Sequence, residues 1–265
     1  MPKRYVDTSL GQIHLAIHPG RETPGLPDLV CLHPIPYSGI YFNSLIPAIN
    51  AGRDIITPDY PGYGSSDFYS ATPGITDYAA TIAELLQTLT PDEPVDLLGF
   101  HTGCLVAAEL QLTRPELVRR SILFDVPYFN QATRQQMLQQ TNEGKTVPGS
   151  DQECLAPAWE FNISKRLDAE VPLTRAFELF VEQLRAGENA NSGFYAAFNC
   201  PCEEKFSQLK GEYLVLASRS SLHDATLQAN AAIAGSKLVE LEISSAVLET
   251  GVTQIADVVN NFLEE

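Results

Sequence analysis

The chain has no long apolar run. Nowhere in its 265 residues does an uninterrupted apolar segment approach the roughly 18 residues that a membrane-spanning helix needs. Residues 1–5, Met-Pro-Lys-Arg-Tyr, also lack the apolar core of a secretory signal peptide. The sequence therefore predicts a cytoplasmic protein without a membrane partner.

Basic residues are scarce as well. The chain carries 17 Lys and Arg against 33 Asp and Glu, a formal net charge of −16, and no stretch is rich in Lys or Arg. Such a surface repels the phosphate backbone of nucleic acids. We therefore expect no nucleic-acid partner, whereas the oligomeric state stays open.

Cysteines are few, and their number and spacing do not indicate a set of structural disulfides. Five is an odd number for a set of disulfides, and the closely spaced Cys200 and Cys202 have no second Cys or His pair to complete a zinc site. The sequence thus predicts free thiols, and it predicts neither a metal nor a cofactor.

The periodicities that are present are those of an α/β domain. Its 44% apolar residues, 18 prolines and 17 glycines are typical of a globular chain. Alternation over residues 13–18 predicts an opening antiparallel hairpin with His14 and His18 on its solvent side. Buried parallel strands are predicted at residues 29–32, 54–57, 95–98, 121–124, 213–217 and 238–241. Helical spacing at residues 77–89, 104–112 and 253–263 completes the pattern of a doubly wound sheet.

The alternation of strands and helices stops between residues 128 and 208. Sequence punctuated by Pro and Gly surrounds one amphipathic helical stretch there, at residues 173–184. We expect one domain in which residues 1–127 and 209–265 form the core and residues 128–208 form an inserted cap. Aromatic residues of this cap, Trp159 among them, either line a pocket or pack the cap onto the sheet.

Three motifs stand in a fixed order in the first half of the chain. The pentapeptide 99–103, Gly-Phe-His-Thr-Gly, follows a predicted strand and opens a predicted helix, and its glycines suit a tight, strained turn. Residues 33–36 read His-Pro-Ile-Pro, and residues 59–67 read Asp-Tyr-Pro-Gly-Tyr-Gly-Ser-Ser-Asp. These motifs resemble the G-x-S-x-G nucleophile elbow, the H-G-x-P oxyanion loop and the D-x-x-G-x-G-x-S segment of the α/β-hydrolases. His101 stands where that family has a Ser, Cys or Asp nucleophile.

The resemblance implies the α/β-hydrolase fold, a mostly parallel, doubly wound sheet of about eight strands with a helical cap inserted after the sixth strand. It also implies an oxyanion hole formed by the N–H groups of Ile35 and Thr102, since Pro36 has no N–H to offer. In the family the histidine equivalent to His33 orients the oxyanion loop. The expected pocket lining is His33, Pro36, Trp159 and Val247.

The sequence departs from the family at the other two members of a catalytic triad. Loop 218–224, where the family has its acid, offers only Asp224, and loop 244–251, where the family has its general-base histidine, contains none. Asp125, after the strand beside the elbow, is the other candidate acid. Bonded to His101 it would fix the imidazole and raise its pKa. Its alternative role is to cap the entry into the inserted segment.

Two hypotheses of different classes follow. The first is an enzyme that acts on a small carbonyl or ester-type substrate with His101 as catalytic base or nucleophile, the reaction class being open between hydrolase and lyase or isomerase. The second is an inactive pseudo-hydrolase that binds a small molecule or a protein partner. A titratable residue retained in the elbow favours the enzyme, and the lost triad favours the binder. Ordinary esterase chemistry through Ser244 or Ser245 is disfavoured because neither lies in an elbow.

Overall fold

The computed structural model describes residues 3–20, 25–49, 52–68, 72–91, 93–141 and 149–265. Their centre is one eight-stranded sheet in the order β1-β2-β4-β3-β5-β6-β7-β8. Its strands are β1 (Arg4–Thr8), β2 (Gly11–His18), β3 (Leu29–Leu32), β4 (Ile55–Pro58), β5 (Val95–Phe100), β6 (Val118–Phe124), β7 (Glu212–Ala217) and β8 (Lys237–Glu240). β2 is antiparallel to both β1 and β4, and all other neighbours are parallel.

The burial of the central strands explains their sequence. β3, β4 and β5 are buried at every position, because helices cover both faces of a parallel sheet. A strand of this kind reads as a continuous apolar run, which is the signal that located it. The strands predicted in six places are confirmed, with differences of at most three residues at their ends. The opening hairpin is confirmed as well.

Helices pack on the two faces of the sheet. α2 (Ile75–Leu89), α3 (Thr102–Thr113) and α10 (His223–Ala232) contribute to the apolar cluster on one face. α1 (Ile46–Ile49), α11 (Val247–Thr250) and α12 (Val252–Glu264) contribute to the cluster on the other. Among the described helices, none is both long enough and apolar enough to cross a membrane. Short 3₁₀ turns lie at Gly39–Phe42, Pro115–Leu117, Gln152–Leu155 and Gly187–Asn189.

The chain between the sixth and seventh strands is helical wherever the structure describes it as regular. A π-helical turn, Glu160–Ser164, joins two short helices in its middle. The α-helices are α4 (Gln131–Gln140), α5 (Ala156–Trp159), α6 (Lys165–Asp168), α7 (Leu173–Arg185), α8 (Ser192–Asn199) and α9 (Cys202–Phe206). The mostly parallel, eight-stranded sheet with a helical insertion after its sixth strand confirms the predicted fold class.

The two histidines of the opening hairpin differ from the prediction. They share one face of β2, but that face is not solvent. Imidazole Nδ1 of His14 lies 2.8 Å from Oδ2 of Asp59, and His18 is only 7% exposed. The reason is that residues 59–67 fold over this face, where the Ser66 hydroxyl accepts a hydrogen bond from the backbone of His14 at 2.9 Å.

Candidate active site

A sharp turn places His101 at the carboxyl edge of the sheet. β5 ends at Phe100, α3 begins at Thr102, and between them His101 adopts φ 50° and ψ −116°, outside the regions that side chains favour. A Cβ on Gly103 would lie 1.9 Å from the carbonyl oxygen of Leu32, and one on Gly99 would lie 2.6 Å from the backbone of Gly103. Both glycines of the motif are therefore required by close backbone packing. The predicted strand, strained turn and helix are all present.

The imidazole of His101 is held by packing. Its ring stacks on that of Phe100, with 4.1 Å between centroids, and its backbone N–H donates to the carbonyl of Phe124 at 3.0 Å. In the part of the chain that the structure describes, neither ring nitrogen has a hydrogen-bond partner. Burial lowers the pKa of His101 to about 4 against the opposing effect of the Asp125 charge, so the ring is neutral at pH 7.

Asp125 follows β6 beside the elbow, as predicted, but its carboxylate is bound elsewhere. It accepts hydrogen bonds from the backbone N–H of Ser218 at 2.8 Å and from the hydroxyl of Ser218 at 2.5 Å. The residue is fully buried, with φ 51°. The expected hydrogen bond between Asp125 and His101 is absent from the described contacts, in which both carboxylate oxygens accept from Ser218. Asp125 therefore joins the end of β6 to the loop after β7.

The other candidate acid lies away from the elbow. Asp224 is at the first turn of α10 with its side chain 95% exposed, and it contacts the imidazole of His223 at 3.4 Å. His223 in turn contacts Glu240 at 3.0 Å, and Arg219 bridges the same glutamate at 2.8 Å. This is a surface ion-pair network. Asp224 does not replace the triad acid in this arrangement.

The loop after β3 is tied down by His33. The imidazole is fully buried, its Nδ1–H donates to the carbonyl of Pro34 at 3.0 Å, and its Nε2 accepts from the N–H of Tyr60 at 3.0 Å. These partners fix the neutral tautomer, and burial lowers the pKa of His33 to about 4 despite the nearby Asp59 charge. His33 thus joins the loops after β3 and β4, the structural task that the resemblance implies.

Asp59 organises the loop after β4. Its carboxylate accepts from the N–H groups of Gly39 and Ser65, both at 2.9 Å, and from His14. Burial raises the pKa of Asp59, but these hydrogen bonds and the nearby His33 outweigh it and hold the pKa below its ordinary value. A Cβ on Gly64 would lie 2.0 Å from the Asp59 carboxylate. The glycine of the motif is needed because the loop closes tightly around this side chain.

Ile35 and Thr102, the predicted donors of an oxyanion hole, lie on the two loops that meet at the elbow. Each is 4% exposed, and within the described residues neither N–H donates a hydrogen bond. α8 covers this side of the elbow, since a Cβ on Gly193 would lie 2.4 Å from the side chain of Ile35. The two N–H groups are therefore unengaged, but the side chains of both residues are packed.

A cavity of about 300 Å³ lies on the other side of His101. It extends between the elbow, the two loops where the family has its acid and base, and helices of the inserted segment. A neighbouring depression of about 480 Å³ shares Lys165, Ser244 and Ser245 with it. The lining of the first cavity is Tyr41, Phe100, His101, Asp125, Phe161, Lys165, Arg166, Ser220, Ser221, Ser244, Ser245, Ala246 and Val247.

Of the four residues expected in the pocket, only Val247 lines this cavity. His33 and Pro36 are buried in the oxyanion loop, and Trp159 packs edge-on against Phe180 at 5.4 Å while remaining 46% exposed. Sequence reasoning also missed the two basic residues of the lining, Lys165 and Arg166. Their position depends on how a short helix of the insertion packs, and no motif marks it.

Backbone strain is concentrated at this cavity. Four non-glycine residues have a positive φ in the part of the chain that the structure describes. Three of them, His101, Asp125 and Ala246, line the cavity. Such conformations cost free energy and cluster at functional sites. Among the described residues, no group of three or more His, Cys, Asp or Glu side chains is arranged to hold a metal ion.

Comparisons with known proteins agree with this architecture. Residues 27–148 match the family model described as alpha/beta hydrolase fold. A hydrolase from Pseudomonas aeruginosa superposes with a TM-score of 0.82 over 99% of this chain and 98% of that one, at 17% identity. The enol-lactonase from Burkholderia xenovorans superposes with a TM-score of 0.79 over 99% of this chain and 100% of that one, at 16% identity.

Curated relatives match part of the chain. The pimeloyl-[acyl-carrier protein] methyl ester esterase of Aeromonas hydrophila is 33% identical over 91 residues, 34% of each chain. The (E)-2-((N-methylformamido)methylene)succinate hydrolase of Acinetobacter baylyi is 29% identical over 124 residues, 46% of this chain and 40% of that one. The chain thus spans between a third and a half of the length of these relatives. The sheet, the elbow and the family match together identify it as a protein of the α/β-hydrolase fold.

Proposed function

We propose that this chain is an enzyme that binds a small carbonyl or ester-type compound in the cavity beside His101 and uses the His101 imidazole to move a proton. The observation that carries the proposal is an imidazole with both nitrogens free of partners in the described structure, facing a cavity of about 300 Å³ from a strained turn. By contrast, the buried His33 has both ring nitrogens hydrogen-bonded. A strained, unsatisfied imidazole is a group available to a ligand.

The protonation state of His101 limits what it does. With a pKa of about 4 the ring is neutral at pH 7, so one nitrogen accepts a proton and the other donates a hydrogen bond. A carbonyl compound in the cavity gives up an α-proton to the accepting nitrogen and becomes an enolate. Ile35 and Thr102 are not among the residues that line this cavity, so their N–H groups are not assigned to this enolate. This role requires no serine nucleophile and no second histidine.

Ordinary serine hydrolysis has less support in the geometry. Ser220, Ser221, Ser244 and Ser245 all line the cavity, but in the described contacts none of their hydroxyls is hydrogen-bonded to a histidine imidazole. A serine hydroxyl is a weak nucleophile without an adjacent base. Proton transfer by His101 is therefore the reaction step that these residues support. The reaction class stays open between a hydrolase and a lyase or isomerase.

The inserted segment is proposed to act as the cap of this site, with residues 1–127 and 209–265 as the core. Phe161, Lys165 and Arg166 bring it to the cavity wall opposite the elbow. Tyr63 holds the insertion down, since its hydroxyl accepts from the N–H of Gly193 at 2.8 Å and donates to the carbonyl of Asn189 at 3.1 Å. A cap fixed in this way excludes water from a reacting carbonyl.

The test is turnover by the wild type and by His101→Asn, with acyl esters, thioesters, β-diketones and enolisable lactones as substrates. Asn tolerates a positive φ, so the variant is expected to fold. We expect activity to fall by about 10²- to 10⁴-fold, the usual contribution of a positioned proton-transfer group. His223→Asn, in the surface ion-pair network, is the matched control and is expected to retain wild-type turnover.

A binding protein without turnover is the second candidate function. It is favoured by the contacts of Asp125, whose two carboxylate oxygens are both engaged by Ser218 and leave His101 without an acid partner. Native mass spectrometry of the same two proteins separates the candidates. A small molecule retained by both, with no turnover of any substrate, would overturn the enzyme and support the binder.

A further inference from the structure

An arginine of the insertion lies buried at the cavity, and some of its N–H groups have no described acceptor. Arg166 is 4% exposed, yet its Nε has no hydrogen-bond partner in the described structure. Its Nη1 donates to the carbonyl of Phe161 at 3.0 Å and to Oδ1 of Asn162 at 3.1 Å, and its Nη2 donates to the hydroxyl of Tyr41 at 3.4 Å. All three partners are neutral, so the positive charge is held in place without being paired.

The carboxylate that acts electrostatically on Arg166 is paired with another arginine through one oxygen, and its other oxygen has no hydrogen-bond partner in the described structure. Glu249 interacts electrostatically with Arg166, but its described ion pair is with Arg175, at 3.1 Å. Burial raises the pKa of Glu249 despite both arginines. A buried cation without a direct counter-ion is costly, and proteins retain such a group where a ligand supplies the missing charge. Arg166 therefore has the properties of a site for an anion.

A second cation lies on the same wall. Lys165 is exposed and lines both this cavity and its neighbour, with its ammonium group 5.6 Å from the ring of Phe161. The overall charge of −16 repels anions, so an anion is favoured only where cations are concentrated. The acidic group in the lining is Asp125, whose carboxylate accepts two hydrogen bonds from Ser218 of the loop after β7. The cavity thus has a basic wall on the insertion and a neutral imidazole opposite.

We propose that the substrate of this site carries a carboxylate, which Arg166 and Lys165 bind while its carbonyl end lies against His101. The guanidinium is planar, and its Nε–H and the second hydrogen of Nη2 have no described partner, so it fits the two oxygens of a carboxylate. The volume of about 300 Å³ admits a short keto acid or ester acid. The orientation of the carbonyl rests on the proposed function, whereas the binding of the carboxylate does not.

The experiment is isothermal titration calorimetry with levulinate, a five-carbon keto acid, and with methyl levulinate, in which an ester removes the charge. We expect the wild type to bind the acid about ten- to a hundredfold more tightly, the range of a charge-assisted hydrogen bond. Arg166→Met is expected to lose this preference and Lys165→Gln to reduce it several-fold. Lys210→Gln, an exposed lysine outside the cavity, is the control and should bind as the wild type does.

The outcomes decide the proposal whatever the turnover assay gives. Equal binding of acid and ester, or binding of neither at millimolar concentration, overturns the carboxylate site. A folded Arg166→Met protein that keeps the preference overturns it too. If circular dichroism shows that Arg166→Met does not fold, the decision rests on Lys165→Gln, and an unchanged preference of that variant for the acid over the ester overturns the carboxylate site. If the protein binds the acid selectively but turns over no substrate, the carboxylate site stands and the proposed enzyme activity is refuted. If it turns over neutral substrates but does not prefer the acid, the enzyme activity stands and the carboxylate site is refuted.

Discussion

Two histidines stand at the carboxyl edge of the sheet, one after β3 and one after β5, and their surroundings are opposite. Burial lowers the pKa of both to about 4. His33 has a partner on each ring nitrogen and joins two loops, whereas His101 has a partner on neither within the described structure. The same residue type thus stabilises the fold in one place and is left available in the other. Hydrogen-bond satisfaction distinguishes them, and burial alone does not.

The largest difference is expected in stability. His33→Leu keeps a similar volume but leaves the N–H of Tyr60 buried without an acceptor, which costs about 2–3 kcal/mol of unfolding free energy. His101→Asn removes no described side-chain hydrogen bond and suits the positive φ, so its main loss is the stacking on Phe100 and its change should lie within about 1 kcal/mol. Urea unfolding at pH 7 measures both. Equal losses in the two variants would refute the distinction between a structural and an available histidine.

The next effect is on the pH dependence of stability. An unfolded histidine titrates near pH 6.5, so the unfolded chain takes up protons before the folded chain does, and unfolding free energy is lost as pH falls from about 6.5 towards 4. For His33 this loss is about 1 kcal/mol at pH 5.5. Relative to wild type, His33→Leu should therefore lose less stability between pH 7 and pH 5.5.

The control for that experiment is a repeat above pH 7, where the neutral imidazoles contribute no pH dependence and the two slopes should coincide. A steeper slope in His33→Leu than in wild type would contradict the assigned neutral state of His33.

The sequence predicted the fold around the two histidines better than it predicted the side-chain contacts of the site. Strands, helices and the elbow follow from local periodicity and from glycines that the backbone packing requires, as Gly103 does beside Leu32. The contact between Asp125 and Ser218 joins residues 93 positions apart through a side chain, and no local pattern encodes it. Arg166 reaches the cavity through the packing of α6, so its role was visible only in the folded chain.

The smallest effect on stability is expected for Asp125→Asn, and this variant tests whether the Asp125 charge influences the pKa of His101. In Asp125→Asn the amide oxygen accepts from the N–H of Ser218 and the amide NH₂ donates to the hydroxyl of Ser218, so stability should change by less than about 1 kcal/mol. The positive φ also suits Asn. The lost charge no longer raises the pKa of His101, so the pKa of His101 should fall further.

Nuclear magnetic resonance of the imidazole C–H protons measures this directly, because a smaller fraction of His101 should be protonated at pH 4.5 in Asp125→Asn than in the wild type. His33 supplies the internal reference, since Asp59, rather than Asp125, is the charge that raises its pKa, and its titration should not move. An unchanged His101 titration would mean that the Asp125 charge does not set the pKa of His101. A shift confined to His101 would show that the carboxylate sets the proton affinity of the imidazole across a gap that no hydrogen bond spans.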